Sequence, residues 1–568
     1  MSFGPSTYPN FVTESTRAQD RLFLQYIGPR SDFDIIIVGS GMGGGILADD
    51  LAERLGSQKR ILVVEAGSFV YPTHVYNICR FPNAALARHF GCDTFWQTGS
   101  SEDQFFIGEK PQLAFGGRSM FWSGLSPSIQ PWELGFFPPR VRQDLQNGLL
   151  ERAGGVMNES RSMGASARAI VAALQSGPLG DDFVIQETPR ALHQPYLTPE
   201  GTLNEESFVE PTGVFNTAEL LINQAGLTPG VYHGDGPGLH LVLNHYVEDV
   251  QNHGSHFELV VRNVLNSEAR VFQATTVVLA GGSIESPKLL RRSSMYPWLP
   301  QPVKDLLGRG LTDHPTSSEM TAYVTHLGSV AIPKSVHAKI VFYSRGRPDP
   351  ANPGQIRYPF NVEMNVNHEY WHLRDNDPND PNRHDPGAFS TRDQRGASRV
   401  DIKFSFGNCL DDVNEVRAAA AFEYVPEVRM RNLKWMDHLR DSRFPALAGW
   451  QKDYDAIFDV LNDMTTRVFG QFQNNGTTAV SSDGRRFGSG GNGFGWGTVH
   501  HAAGTLRMPY RAAHDGPFEP HSVVDEDLRV VGTDHLYVCD MSVMPFSSAA
   551  NPVRTLAALA LRLSRHFG

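Results

Sequence analysis

The stretch from Phe33 to Gly67 limits the fold of this chain more tightly than any other. Phe33-Asp34-Ile35-Ile36-Ile37-Val38 is a short β-branched run of the kind that forms a strand buried on both faces. It passes straight into Gly39-Ser40-Gly41-Met42-Gly43-Gly44-Gly45, after which ILADDLAERL predicts a helix. A second apolar run, Arg60-Ile61-Leu62-Val63-Val64, ends at Glu65-Ala66-Gly67. Strand, helix, strand in that order predicts a parallel pair and an α/β domain of Rossmann type. A glycine-rich turn alone is a weak signal, but between strand and helix it predicts a dinucleotide site. Gly39 permits the tight turn, Gly41 lets the backbone approach a pyrophosphate, and Gly44 lets helix and strand pack closely. The helix start offers free N–H groups and partial positive charge to the phosphates. Glu65 is placed to accept ribose hydroxyls, and its charge disfavours a 2′-phosphate.

Later segments rebuild the same domain. Leu241-Val242-Leu243 leads to Val247, residues 256–261 alternate as a half-exposed strand, and Thr276-Val277-Val278-Leu279-Ala280 is a further buried strand. The expected partition is an extension at 1–32, a discontinuous nucleotide-binding domain of 33–134, 236–317 and 486–568, and a second domain of 135–235 and 318–485. In the second domain, AKIVFYS and RVDIKFSF predict an antiparallel sheet. Residues 374–396, rich in Asp, Asn and Pro, read as a long surface loop, with a lid as the alternative. The glycine-rich stretch 487–495 lacks the Lys-Ser/Thr of a P-loop and reads as a turn.

Composition narrows the function. Of 568 residues, 40% are hydrophobic and 20% charged, which supports a large core and excludes collagen-like, mucin-like and wholly disordered chains. A formal charge of −11 and the lack of basic runs give no general attraction to nucleic acid or anionic membrane. No long apolar run predicts a membrane span, and the first twenty residues lack the pattern of a secretory signal, so a soluble, cytoplasmic protein is expected. Four scattered cysteines form no CxxC pair, and no histidine spacing predicts a metal site.

The turn and Glu65 are joined, in order, by further blocks: Phe115-Gly116-Gly117-Arg118-Ser119-Met120-Phe121-Trp122-Ser123-Gly124, Gly282-Ser283-Ile284-Glu285-Ser286-Pro287-Lys288-Leu289-Leu290, Gly308-Arg309-Gly310-Leu311-Thr312-Asp313-His314-Pro315, His501-Ala502-Ala503-Gly504-Thr505-Leu506-Arg507-Met508 and Asn551-Pro552-Val553-Arg554-Thr555. With them the chain resembles the glucose–methanol–choline (GMC) flavin oxidoreductases over nearly all of its length after residue 32. One departure is Ser294, where the family usually has glycine.

The resemblance implies a Rossmann-type FAD domain with an inserted substrate-binding domain built on an antiparallel sheet, as in p-hydroxybenzoate hydroxylase. Gly39, Gly41, Gly44 and Glu65 would hold the ADP part and Val247 would contact adenine. Gly117, Ser119, Trp122, Ser123, Asp540, Pro552 and Thr555 would lie near the flavin and its ribityl chain. Ser123 has a second reading, a hydroxyl bonded to local backbone. Within the family, GGRSMFWSG is most similar to pyranose 2-oxidase and related bacterial glycoside oxidases. That branch can tie a histidine to the flavin. Phe121 stands at that place here and has no nucleophilic nitrogen, which implies noncovalent FAD.

Oxidising an alcohol needs a base for the hydroxyl proton, and imidazole is usable at neutral pH. By resemblance His501 is that base, and Asn551, which cannot take a proton, holds the substrate oxygen. His500 is expected to be structural, because neighbours on a strand face opposite ways, and His314 to be scaffold. The substrate implied is a secondary alcohol of a sugar or glycoside, with electrons passing to O2 or another acceptor. A sterol or other bulky alcohol, or a redox-silent FAD-containing lyase, is the alternative. Trp122 and the aromatic-rich segment 360–372 would stack on a sugar ring or pack in the core.

Overall fold

The computed structural model describes residues 31–68, 112–159, 164–192, 214–227, 236–334, 336, 338–350, 352–367, 397–418, 426–429, 455–488, 494–495, 500–511 and 516–568. The loop at 374–396, the tip of the glycine-rich stretch (489–493), residues 368–372, Cys79 and Cys92 lie outside them.

The βαβ unit forms as its sequence requires. β1 (Asp32–Val38) runs into α1 (Met42–Leu55), and β2 (Arg60–Val64) returns parallel to β1 with Ile35 opposite Ile61 and Val38 opposite Val64. The chain then makes α2 (Ala165–Ser176), contributes β3 (Phe183–Glu187) to a second sheet, and forms α3 (Thr217–Leu227). It re-enters the first sheet with β4 (Gly238–Val242), β5 (His245–Asn252), β6 (Phe257–Asn263) and β7 (Ala269–Leu279), followed by α4 (Gly282–Arg292). β7 is long enough to serve two neighbourhoods. Its first half pairs antiparallel with β6, and its second half pairs parallel with β1.

The second sheet gathers β8 (Thr316–Ser317), β9 (Met320–Val324), β10 (Ala338–Ser344), β11 (Phe360–Val366) and β12 (Ser398–Phe406). After α5 (Asp455–Phe469) comes the short edge strand β13 (Phe494–Gly495). The order is β13-β8-β12-β11-β10-β3, with β9 on β12, and every pairing is antiparallel. AKIVFYS and RVDIKFSF are thus the strands β10 and β12 that their patterns predict. Finally β14 (Leu536–Val538) pairs parallel with β7, completing the first sheet as β4-β2-β1-β7-β6-β5 with β14 beside β7, and α6 (Val553–Ser564) packs on α1.

Two cores follow. The first surrounds the parallel strands and includes Ile36, Leu62, Val278, Leu47 and Leu559. The second lies on one face of the antiparallel sheet, where Phe342, Val362 and Phe404 meet Ile170 and Leu174 of α2 and Leu461, Met464 and Val468 of α5. Phe360 belongs to this core, which settles its role as packing. Val141, Leu145, Leu149 and Ala153, expected with the second sheet, join the first core instead, because the helical turns at 139–156 pack on α6. Among the described residues no helix is long and apolar enough to cross a membrane.

Candidate active site

β1, β2, β7 and β14 are parallel, so their carboxyl ends share one edge, the edge at which open α/β sheets bind ligands. There a large cavity, partly open to solvent, is lined by Gly39, Gly41, Glu65, Gly117, Val247, Asp540 and Pro552, together with Arg118, His500 and His501. Gly39 has φ +108°, and a Cβ there would collide with the Ala280 carbonyl. A Cβ at Gly44 would overlap the Gly39 carbonyl oxygen, so this glycine packs turn against helix rather than facing the cavity. Gly41 has open space where its side chain would be.

The donor set fits FAD. α1 begins with no side-chain cap and no acid in its first turn, so its leading N–H groups, beside Gly41, Met42 and Gly43 on the cavity wall, are free for a pyrophosphate. α6 also starts uncapped, with Pro552 and Val553 on the wall. Glu285, on the wall near Val247, has a buried Oε1 without a partner; its Oε2 accepts from the Tyr246 hydroxyl at 3.1 Å and pairs with Lys288 at 2.5 Å. Thr555, buried in the first turn of α6, also keeps an unpartnered hydroxyl, although it does not line the cavity.

Glu65 is less free than its position suggests. Its Oε2 accepts from the Ser40 amide at 3.0 Å and the Ser40 hydroxyl at 2.6 Å, and its Oε1 accepts from the Gly67 amide at 2.8 Å. Burial raises its pKa, while these donors act the other way. Ser40 in turn accepts from the Gly116 amide at 2.9 Å, and its carbonyl accepts from Thr217 at 2.7 Å. Asp540 is similarly engaged, accepting from Gly282, Ser286 and the amide and hydroxyl of Ser542. Ser294, the departure from the family pattern, donates its amide and hydroxyl to Asp249, each at 2.6 Å.

Ser119, Trp122 and Ser123 do not line this cavity among the described residues. The Ser119 hydroxyl donates to the Gly116 carbonyl and accepts from the Thr217 amide, Trp122 donates its indole N–H to the Phe215 carbonyl at 2.8 Å, and the Ser123 carbonyl accepts from Arg190. These bonds seat the segment, and its neighbours Gly117 and Arg118 reach the wall. Arg118 lies in the Phe115–Gly124 block, but nothing in that block's pattern marks it as a wall residue.

His501 and His314 form the most informative contact. His501 Nδ1 lies 2.9 Å from His314 Nε2, and His314 Nδ1 lies 3.0 Å from the Ser548 carbonyl oxygen. Both rings are held neutral: burial pushes His314 down to about 4, and burial with the neighbouring His314, His500 and Arg118 pushes His501 well below the usual histidine range. A carbonyl only accepts, so His314 carries its proton on Nδ1 and offers a lone pair at Nε2. His501 must then donate from Nδ1, which leaves its Nε2 as an unprotonated acceptor. Asp313, His314 and His501 bring three ligand-type atoms within 4.8 Å of one another, but both His314 nitrogens are occupied by this chain of bonds.

His500 corrects an expectation. It is not on a strand; its φ is +60°, and it lines the cavity with His501, so alternation does not turn it away. Asn551 sits on a different wall. With Thr188, Asn361, Glu363 and Ala549 it borders a second, small gap with room for about one water, while the next residue, Pro552, faces the large cavity. The segment is held from two sides: the Ser548 carbonyl accepts from His314, and the Ala549 amide donates to Glu133 at 2.7 Å.

Comparison with known proteins agrees with this architecture. Residues 371–560, which include both the His501 and Asn551 blocks, match the family model for GMC oxidoreductase. The fold is similar to that of pyridoxine 4-oxidase from Mesorbium loti, with 17% sequence identity, a TM-score of 0.52, and coverage of 94% of this chain and 99% of that chain. No curated protein matches the chain in sequence. The matched segment supports the class of FAD-dependent oxidoreductases acting on CH–OH groups, and the structural likeness shows the shared fold.

Proposed function

We propose that the protein oxidises a secondary hydroxyl of a sugar or glycoside, with His501 as base, noncovalently bound FAD, and O2 or another acceptor taking the electrons. The observation that carries the reading is the bond order Ser548–His314–His501, which leaves His501 Nε2 with a lone pair on a cavity-lining residue. His501 takes the hydroxyl proton at Nε2 and becomes a cation while its Nδ1–H stays on His314. Such base catalysis typically contributes about 10²–10⁴-fold. Asn551, whose carboxamide makes no hydrogen bond among the described residues, is free to hold the substrate oxygen. Gly39, Gly41, Glu65 and Val247 would form the cradle for the ADP part, with Gly44 packing the turn behind it, and Gly117, Asp540 and Pro552 would face the flavin part, with Thr555 in the helix turn behind Pro552. Bound FAD supplies the acceptor for the carbon-bound hydrogen and its two electrons. Phe121 supports noncovalent attachment, since it offers no nucleophile. The charge of −11 fits a soluble, cytoplasmic setting.

Anaerobic titration of the FAD-loaded protein with sugars and glycosides, followed by visible absorption, tests the reading. The expected result is bleaching of the oxidised flavin bands by a sugar, lost in His501→Ala with the bands themselves retained. Bands that only sterols or other alcohols bleach would refute the sugar assignment, and bands that nothing bleaches would favour lyase chemistry.

A further inference from the structure

Glu285 has one carboxylate oxygen in use and one to spare. It sits in the first turn of α4 and lines the large cavity together with Tyr246 and Val247. Its Oε2 accepts from the Tyr246 hydroxyl at 3.1 Å and lies 2.5 Å from Lys288 Nζ. Lys288 is fully buried and does not line the cavity, so this ion pair draws Oε2 toward the protein interior. Oε1 is buried and has no partner in the protein, in a residue only 9% exposed. Buried polar atoms are almost always paired, so a bare one on a residue that walls a cavity points to a partner that arrives with the ligand.

That partner must be a donor. A carboxylate held by a lysine accepts hydrogen bonds and gives none. A pyrophosphate also only accepts, so it is repelled here and belongs at the open start of α1, beside Gly41 and Met42. What remains of an adenine dinucleotide is its base and its ribose hydroxyls. The position favours the base: Tyr246, which bonds Glu285, immediately precedes Val247 on β5, the residue expected at adenine.

Resting on the proposed FAD binding, we infer that Glu285 selects the cofactor's base, its Oε1 accepting a hydrogen bond from the exocyclic amine of adenine. A purine with a carbonyl at that carbon, as in hypoxanthine, sets oxygen against oxygen and leaves the carboxylate bare. Glu285→Gln should reverse the choice. Lys288 and the Tyr246 hydroxyl are both donors, so they require the amide oxygen at the place of Oε2. The Nε2 group then stands where Oε1 was, and the wall donates to a carbonyl instead of accepting from an amine.

The test titrates the full chain, freed of flavin, with FAD and with its hypoxanthine analogue by calorimetry, in the native form, in Glu285→Gln and in Glu285→Ala. The native protein should bind FAD about tenfold to a hundredfold more tightly than the analogue, the difference expected when a hydrogen bond to a charged group is lost. Glu285→Gln should bind the analogue more tightly than FAD, and Glu285→Ala should bind the two alike. The native comparison carries the test if either variant does not fold. Equal affinities in the native protein would overturn the inference, since ribose hydroxyls are common to both ligands, and so would a glutamine variant that still prefers FAD. A native protein that binds neither dinucleotide would refute the FAD reading and the inference with it. A native preference for FAD, with flavin bands that no alcohol bleaches, would refute the oxidation and leave the base contact standing.

Discussion

Replacing His314 by phenylalanine removes the acceptor that fixes the His501 proton on Nδ1 while keeping a planar ring in the buried site. The native bond, at 2.9 Å, is one between neutral rings in the resting protein. It becomes charge-assisted when His501 takes the substrate proton, because Nδ1–H then belongs to an imidazolium. Hydrogen bonds to charged groups are worth about 1.5–3 kcal/mol. At about 1.4 kcal/mol per decade, His314→Phe should slow flavin reduction roughly tenfold to a hundredfold. Substrate affinity should change little, since His314 is not among the residues lining the cavity. Stopped-flow bleaching under anaerobic conditions measures the rate. Nitrogen NMR of histidine-labelled protein measures the tautomer, which should be Nδ1–H for His501 in the native protein and lose that restriction in the variant. The native rate should also stay level across neutral pH, falling only well below the usual histidine pKa, because His501 is already neutral there. An unchanged reduction rate in His314→Phe, or native His501 protonated on Nε2, would refute the reasoning.

Gly44→Ala puts a Cβ onto the Gly39 carbonyl oxygen, which cannot move without opening the turn. The variant should purify with little or no visible flavin absorption, and calorimetry with FAD should show affinity lost by at least tenfold. Glu133 gives a pH-dependent stability. Burial raises its pKa to about 7, against which the Ala549 and Gln130 amides act. Between about 4.5 and about 7 the folded state therefore holds a proton that the unfolded chain has released, so stability falls as pH rises through that window and is level on either side. The drop is on the order of 3 kcal/mol, and Glu133→Gln should remove it, as chemical denaturation at pH 5, 6, 7 and 8 would show.

The legible parts of this protein are those carried by local pattern. The passage from β1 into α1 places Gly39, Gly41 and Gly44 directly after an apolar run, so its geometry is written within about a dozen residues. The same holds for β10 and β12, whose apolar alternation survives in the structure. What escaped depends on distant packing. His314 and His501 are 187 positions apart, and no spacing announces that their rings touch. Asn361 lies in FNVEMNV, which reads as a strand with one wet face; that the polar face is buried is decided by what covers the sheet. Strand alternation predicts that His500 faces away from His501, and the positive φ that brings it to the cavity leaves no trace in composition. Ser119, Trp122 and Ser123 occupy a block resembling a flavin-lining one, but their hydrogen bonds hold that block in place.

The first turn and the last strand of the nucleotide fold touch directly. The Cys539 carbonyl fills the room that a Cβ at Gly43 would need, and the Ser564 hydroxyl donates to Asp50 at 2.6 Å, a separation of 514 positions. During synthesis at about 5–20 residues per second, β1 and β2 therefore exist for on the order of a minute before β14 can be added. Until then the second half of β7 carries an open strand edge, the kind that recruits other chains. Such distant closure also makes for slow folding. The cofactor cavity, with walls contributed from both regions, is completed only when that seam closes, so FAD uptake reports on a finished fold and offers no help to a growing one.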